Sequence, residues 1–345
     1  MNSVCERHKP KTSPADAPHH RAVFALSGVI FACLLSIGCG ATDKGAGEDS
    51  ETPQVVLALN WFPEAEHGGY LAASHLGLYK AAGLDVEVRN GGGKAAETVI
   101  KELTVGRIQF AISSADLVIE ARAAGAPIVA LAAPLQHSPR CIMVHESAGF
   151  QKLEDLSGVE LAISDQRGFA MWLKHRVPLT DVTFVPFSGG VGEFVLKDNF
   201  AQQGYTFSEP FSAREKGSDP QTLMLSDIGY DPYTCILVTT EEMIATQPEM
   251  VRSMVATSVE GWSRYLADPV ATNRYITSIN PEMGAEMLAF GVEAMKPLLG
   301  DEDTGCGMEV SRWKTMIGQL EEIGKIEAGK VQAEDCFNTS FLPAP

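Results

Sequence analysis

Val55-Val-Leu-Ala-Leu59, Leu84-Asp-Val-Glu-Val88, Phe110-Ala-Ile112 and Ile128-Val-Ala-Leu-Ala132 are four short apolar runs separated by stretches with helical spacing. His67 to Ala82 reads as a helix broken by Gly77. Lys94 to Val105 places Ala95/Ala96, Val99/Ile100 and Leu103 on one face, and Ala115 to Ala124 is a third helix. Strands alternating with helices of about ten residues predict βαβ units and a mostly parallel sheet. The rhythm restarts at Cys141-Ile-Met-Val144, Val159-Glu-Leu-Ala-Ile163, Val182-Thr-Phe-Val185, Thr222-Leu-Met-Leu225 and Cys235-Ile-Leu-Val-Thr239. Beyond Glu241 strands almost vanish. Pro248 to Leu266 and Trp313 to Ile323 carry the apolar stripes of helices. The pattern is two α/β segments followed by a helical tail.

The chain has 345 residues, room for about two domains. Lys+Arg number 27 against 44 Asp+Glu, a net charge of −17, which argues against a nucleic-acid partner. Ahead of the first strand, residues 1–21 are polar and carry Arg7, Lys9, Lys11 and Arg21, and an apolar run Ala22–Gly38 follows. A basic start, a short apolar run and small residues at its end describe a secretory signal over 1–38, with an uncleaved N-terminal anchor as the alternative. Ser36-Ile-Gly-Cys39 resembles a bacterial lipobox with Ser36 where Leu is preferred, which makes Cys39 a lipidation site. Residues 39–53 are small and polar and read as a flexible tether. An exported, periplasmic lipoprotein anchored by acyl chains is expected.

Enzyme signatures are scarce. There is no HExxH, GxSxG, CxxC or GxGxxG, and Gly91-Gly-Gly-Lys94 fails as a phosphate loop because position 88 is Val and Ala95 replaces Ser/Thr. His67, His75, His137, His145 and His175 show no metal-ligand spacing, so neither metal nor cofactor is expected. Polar and aromatic residues instead gather at strand ends: Asn60-Trp61 after the first, Gly91-Gly92-Gly93 after the second, Ser113-Ser114 after the third. In open α/β sheets ligands bind beyond the carboxyl ends of the strands, although Ser, Asn and Gly are also ordinary helix caps. Trp61, in a loop between Asn60 and Pro63, is placed to stack on a flat ligand, with a core position as the alternative. His67 begins a helix, where a cation is disfavoured, so a neutral imidazole is expected.

Leu59-Asn-Trp-Phe-Pro-Glu-Ala-Glu-His-Gly-Gly-Tyr70, Gly77-Leu-Tyr79 and Ala82-Gly-Leu-Asp-Val86 resemble the opening of the NMT1/THI5-like (SsuA-like) substrate-binding family. Ile112-Ser-Ser-Ala-Asp116, Asn199-Phe-Ala-Gln-Gln-Gly-Tyr-Thr-Phe-Ser-Glu-Pro210 and Gly229-Tyr-Asp-Pro-Tyr233 extend the resemblance to about residues 54–340. It implies an α/β type II periplasmic-binding-protein fold of two lobes, 54–135 with 236–345 and 136–235. Two crossover segments near Leu135–Cys141 and Tyr230–Cys235 would join them. It further implies a monomer that closes on a small solute and delivers it to a membrane ABC permease. The site residues so implied are Asn60, Trp61, His67, Gly92, Ser114, Ser188, Glu209 and Tyr233.

Among possible ligands, a thiamine pyrimidine precursor is favoured, although Glu64 replaces the Asn that members binding such precursors carry after the Pro. Glu209 would accept hydrogen bonds from an aminopyrimidine or tie down a hinge. Nitrate, sulfonate and taurine binders share the fold, with Lys94 and Arg167 as the cations nearby. The family's thiamine-pyrimidine synthases use a His of their own chain as reactant and a Cys-rich run. The matching segments here, 114–122 and 230–235, hold no His and one Cys, which argues against that activity. A sensor domain without a permease is a further alternative. Cys306 and Cys336, close together near the C-terminus, are the candidate disulfide pair, with buried free thiols as the alternative and Cys141–Cys235 disfavoured because it would restrict closure.

Overall fold

The computed structural model describes residues 54–300 and 305–344. The signal segment, Cys39 and the tether 39–53 lie outside the described residues. Among the described residues ten strands form two five-stranded sheets. The first holds β1 (Gln54–Ala58), β2 (Asp85–Arg89), β3 (Phe110–Ser113), β4 (Ile128–Ala132) and β10 (Ile236–Thr240), in the order β2-β1-β3-β10-β4. The second holds β5 (Arg140–His145), β6 (Glu160–Ala162), β7 (Thr183–Val185), β8 (Phe200–Tyr205) and β9 (Pro220–Met224), in the order β7-β6-β8-β5-β9. Each sheet is the floor of one lobe.

The sheets are mixed, not mostly parallel. β1 pairs parallel with β2 and β3, and β6 with β7 and β8. β10 runs antiparallel to β3 and β4, and β5 to β8 and β9. The antiparallel strand in each case follows a crossover from the other lobe. Such a strand enters its sheet from the cleft side, opposite to the strands of the βαβ units, so its direction is reversed.

The crossovers 133–139 and 229–235 are bound to each other and to the tail. Leu135 and Thr234 form an isolated bridge. The Asp231 carboxylate accepts from Ser138 N and lies against His137 Nδ1, both at 2.7 Å. Arg312 donates to Gln136 O at 2.6 Å and to Asp231 O at 2.9 Å. Arg312 opens the helix Val310–Glu322, which packs against the helix Ala115–Ala123 of the first lobe and the helix Gly168–Arg176 of the second. The tail therefore touches both lobes.

The long tail helix Pro248–Ala267 lies on the helix Gly68–His75 in the most extensive helix contact among the described residues. The approach is possible because glycines face each other. The ring of Tyr265 covers Gly68, that of Trp262 covers Gly69, and Gly261 sits on the backbone of Gly69 and Ala73.

The four cysteines among the described residues are free thiols. The candidate Cys306–Cys336 bond is not formed. Cys306 packs beside Cys235 in the cluster around Tyr70 and Trp262, whereas Cys336 lies in the other large cluster with Trp313. Proximity in sequence did not bring them together, because the chain between them runs out through the helix Val310–Glu322. Burial pushes both thiols up to about 12.

Candidate functional site

Between the lobes lies a cavity of about 280 Å³, near the lower end of the range for small-molecule sites. The C-terminal ends of parallel strands feed it from both sides. The first lobe contributes Asn60 and Trp61 beyond β1, Gly93 and Lys94 beyond β2, and Ser114 beyond β3. The second contributes Ser164, Arg167 and Phe169 beyond β6, Phe187 and Ser188 beyond β7, and Gln203, Tyr205 and Glu209 on and after β8. Arg140, at the start of β5, completes the wall.

The loop carrying Trp61 is tightly fixed. Pro63 O accepts from Asn280 Nδ2 at 2.8 Å, and Leu59 N donates to Arg89 O at 2.9 Å. Gly91 passes so close that a Cβ there would lie 2.7 Å from Trp61 N. This is the reason for glycine at that position. Trp61 is half-buried, edge-on to Phe62 at 5.4 Å.

Five of the eight residues expected from sequence line this cavity: Asn60, Trp61, Ser114, Ser188 and Glu209. Three do not. His67 lies behind the wall, fully buried, with Nε2 3.0 Å from Asn60 Oδ1. Gly92 borders a separate groove with Arg89 and Glu102, and its neighbour Gly93 faces the cavity instead. Tyr233 is in the core at the crossover. Its hydroxyl accepts from Glu309 N at 2.9 Å, and Arg312 stacks on its ring at 3.9 Å, so it braces the crossover against the tail.

Sequence reading missed Glu66, Arg140, Phe169, Phe187, Gln203 and Tyr205. Arg140 is held between the rings of Phe169 and Tyr205, at 4.5 and 4.2 Å, and donates to Tyr205 Oη at 2.9 Å. On the other side of the cavity Glu64 and Glu66 are buried together. Burial raises both carboxyls. Glu66 is pushed up to about 8, with Arg140 opposing the rise and Glu209 adding to it. Glu64 is raised well above the usual range by burial and by the nearby Glu66 and Glu209. The same burial lowers His67 to about 3, so its ring is neutral, as expected from its place at a helix start. Its contact with Glu66 Oε1 at 3.4 Å is consequently between neutral groups near pH 7.

Glu209 is anchored by its own surroundings: Oε2 accepts from Tyr205 N and Ser208 Oγ, both at 2.7 Å. Ser114 Oγ donates a hydrogen bond to Asp116 Oδ1. Among the described residues no cluster of His, Cys, Asp and Glu has the arrangement of a metal site, and no helix is long and apolar enough to cross a membrane.

Comparison with known proteins places this architecture. Riboflavin-binding protein RibY of Chloroflexus aurantiacus is 25% identical over 304 residues, covering 84% of this chain and 86% of its own. The periplasmic aliphatic sulphonate binding protein SsuA of Escherichia coli superposes with a TM-score of 0.64 at 15% identity, over 85% of this chain and 94% of that one. The alkanesulfonate-binding protein SsuA of Xanthomonas axonopodis pv. citri, solved with MOPS, gives 0.62 at 13% identity, over 84% and 99%. The two structures share the fold of two mixed sheets about a cleft, that of periplasmic binding proteins. The model of the family described as NMT1/THI5 like matches residues 64–272, more than half of the sequence, and the chain belongs to that family.

Proposed function

We propose that this protein is the solute-binding component of an ABC-type importer and that its ligand is a flat nitrogen heterocycle. The observation that carries the ligand class is that Trp61 from one lobe and Phe187 from the other line one cavity together with polar side chains. Such rings supply stacking area, and a few polar groups fix orientation. The riboflavin-binding relative supports the same class, and a thiamine pyrimidine precursor belongs to it. The N-terminal signal pattern and Cys39 support an exported, lipid-anchored chain that serves a membrane permease as a monomer. The absence of His from 114–122 and the single Cys in 230–235 argue against a synthase.

A second reading has its own observation: Lys94, Arg140 and Arg167 line the cavity, as a sulfonate or other anion would require. Glu97 and Glu209 line it too, beside the buried pair Glu64 and Glu66, so the lining is not the cluster of cations alone that an anion site would favour.

Titration of the purified protein with riboflavin, aminopyrimidines, taurine, alkanesulfonates and nitrate separates the two. Binding of a heterocycle is expected, and saturation at 100 times Kd stabilises by about 2.7 kcal/mol. Trp61→Ala is expected to weaken that binding by about fivefold or more, because stacking is worth about 1–3 kcal/mol per ring. Tight binding of a sulfonate with no response to any heterocycle would overturn the reading. An unchanged affinity in Trp61→Ala would remove the stacking role.

A further inference from the structure

Two amide side chains face the cavity from opposite lobes, and in each the oxygen is already committed. His67 Nδ1 accepts the backbone N–H of Glu64 at 3.4 Å, so the proton of the neutral ring is on Nε2. That N–H points at Asn60 Oδ1, 3.0 Å away. An N–H needs an acceptor, which turns the Asn60 oxygen inward and leaves Nδ2 toward the cavity. Across the cleft, Ser164 N–H donates to Gln203 Oε1 at 2.6 Å, which leaves Gln203 Nε2 as the free end. Neither amide nitrogen has a partner among the described residues.

The surroundings reinforce this polarity. Arg140 is fixed by two rings and carries further N–H groups beyond the one given to Tyr205. Arg167 Nε is buried with no partner among the described residues. The carboxyls of Glu64, Glu66, Glu97 and Glu209 lie in the same lining, and one oxygen of Glu209 is already taken twice. A site of this kind leaves buried donors unpaired when a ligand offers N–H groups in place of lone pairs, and that mismatch discriminates more strongly than shape.

We propose that Asn60 and Gln203 form a donor pair, one residue from each lobe, that selects a solute with acceptors on its polar edge. Carbonyl oxygens or unprotonated ring nitrogens fit, and rings bearing amino groups there are rejected. One ligand edge bridging the two donors would also hold the lobes closed. This rests on the reading of the cavity as a heterocycle site.

Gln203→Glu and Asn60→Asp test it. Both keep the oxygen that accepts from Ser164 N or from His67 Nε2, and both replace the donor by an acceptor. Arg140, whose partner Tyr205 lies two residues along β8 from Gln203, favours the ionised form of a glutamate there. The probes are riboflavin, with a dione edge, and 4-amino-5-hydroxymethyl-2-methylpyrimidine, with an amino edge, titrated into the full purified chain with melting points recorded alongside.

The wild type is expected to bind the dione at least tenfold more tightly. Each variant should lose at least tenfold for the dione and nothing for the amine. A wild type that prefers the amine, or variants that keep the wild-type preference, would overturn the donor pair while leaving the heterocycle site standing. Failure of both probes to bind the wild type would overturn the heterocycle reading and the donor pair with it. If Asn60→Asp melts early, Gln203→Glu carries the test alone.

Discussion

Gly261→Ala is expected to destabilise the protein by about 2 kcal/mol, against what helix propensity alone predicts. Gly261 is in the interior of the helix Pro248–Ala267, where alanine is intrinsically better by about 1 kcal/mol. A Cβ at 261, however, would be pressed against Gly69 O, 2.7 Å from the Cβ of Ala73 and 3.0 Å from its N. No rotamer relieves a clash with backbone and a methyl group, so the two helices must separate. Overpacking of this kind costs about 1–3 kcal/mol and occasionally more. With the upper figure and the propensity gain set against each other, a net loss of about 2 remains. Gly318 is the control. It lies in the helix Val310–Glu322 with open space where a Cβ would be, so Gly318→Ala should gain about 1 kcal/mol. Denaturant unfolding of both variants decides the matter, and a gain in both would mean that the helices do not touch at Gly261.

That contact also explains part of the opening motif. His67-Gly-Gly-Tyr70 belongs to the motif that carries the family resemblance, and its glycines serve helix packing under Trp262 and Tyr265. The periodicity of the sequence was enough to mark nine of the ten strands within a residue or two. The exception is β8. Phe200-Ala-Gln-Gln-Gly-Tyr205 has two amides and a glycine where a buried strand ordinarily has aliphatic residues. Gln202 and Gln203 are nonetheless buried, since the strand lies in the middle of the sheet between β6 and β5. The antiparallel course of β5 and β10 was also illegible, because strand direction after a crossover depends on where the chain re-enters and not on local pattern.

The same causes divided the site. The half contributed by the first lobe was legible because Asn60, Trp61 and Ser114 follow recognisable strands, and ligands gather at such ends. The half from the second lobe was mostly missed. Gln203 and Tyr205 belong to the unrecognised strand, and Arg140 opens a strand where it passes for a solvent-facing charge. Glu66 directly precedes the helix expected from His67, and an acidic residue suits any helix start. Only the fold buries it against Glu64 and His67. Tyr233 erred in the other direction: an aromatic residue in a crossover reads as a cleft residue, but its hydroxyl is spent on Glu309 N.

The burial of that trio should make the ligand-free protein lose stability as pH rises from 6.5 to 8. Glu66 has its folded value near 8 against 4.5 when exposed, so it keeps a proton that the unfolded chain has given up. A raised value of this kind contributes stability at low pH that is lost progressively as pH climbs from 4.5 to 8. His67, lowered from 6.5 to about 3, acts oppositely: the unfolded chain binds its proton first, so stability is lost as pH falls from 6.5 toward 3. Between 4.5 and 6.5 these two slopes offset each other. Above 6.5 His67 is neutral in both states and no longer offsets Glu66, which contributes about 1.4 kcal/mol per pH unit, or about 2 kcal/mol by pH 8. Glu64 is raised by burial and by the nearby Glu66 and Glu209, and its slope has the same sign as that of Glu66. Asp219, lowered to about 2, titrates below this window. Glu66→Gln removes one titrating group while keeping the shape, so its stability should fall less steeply than the wild type over pH 6.5–8. The difference between the two curves isolates Glu66 from its neighbours. Parallel curves would mean that Glu66 is ionised in the folded protein, held so by Arg140 across the cavity, and that the polar lining presents a carboxylate to the ligand.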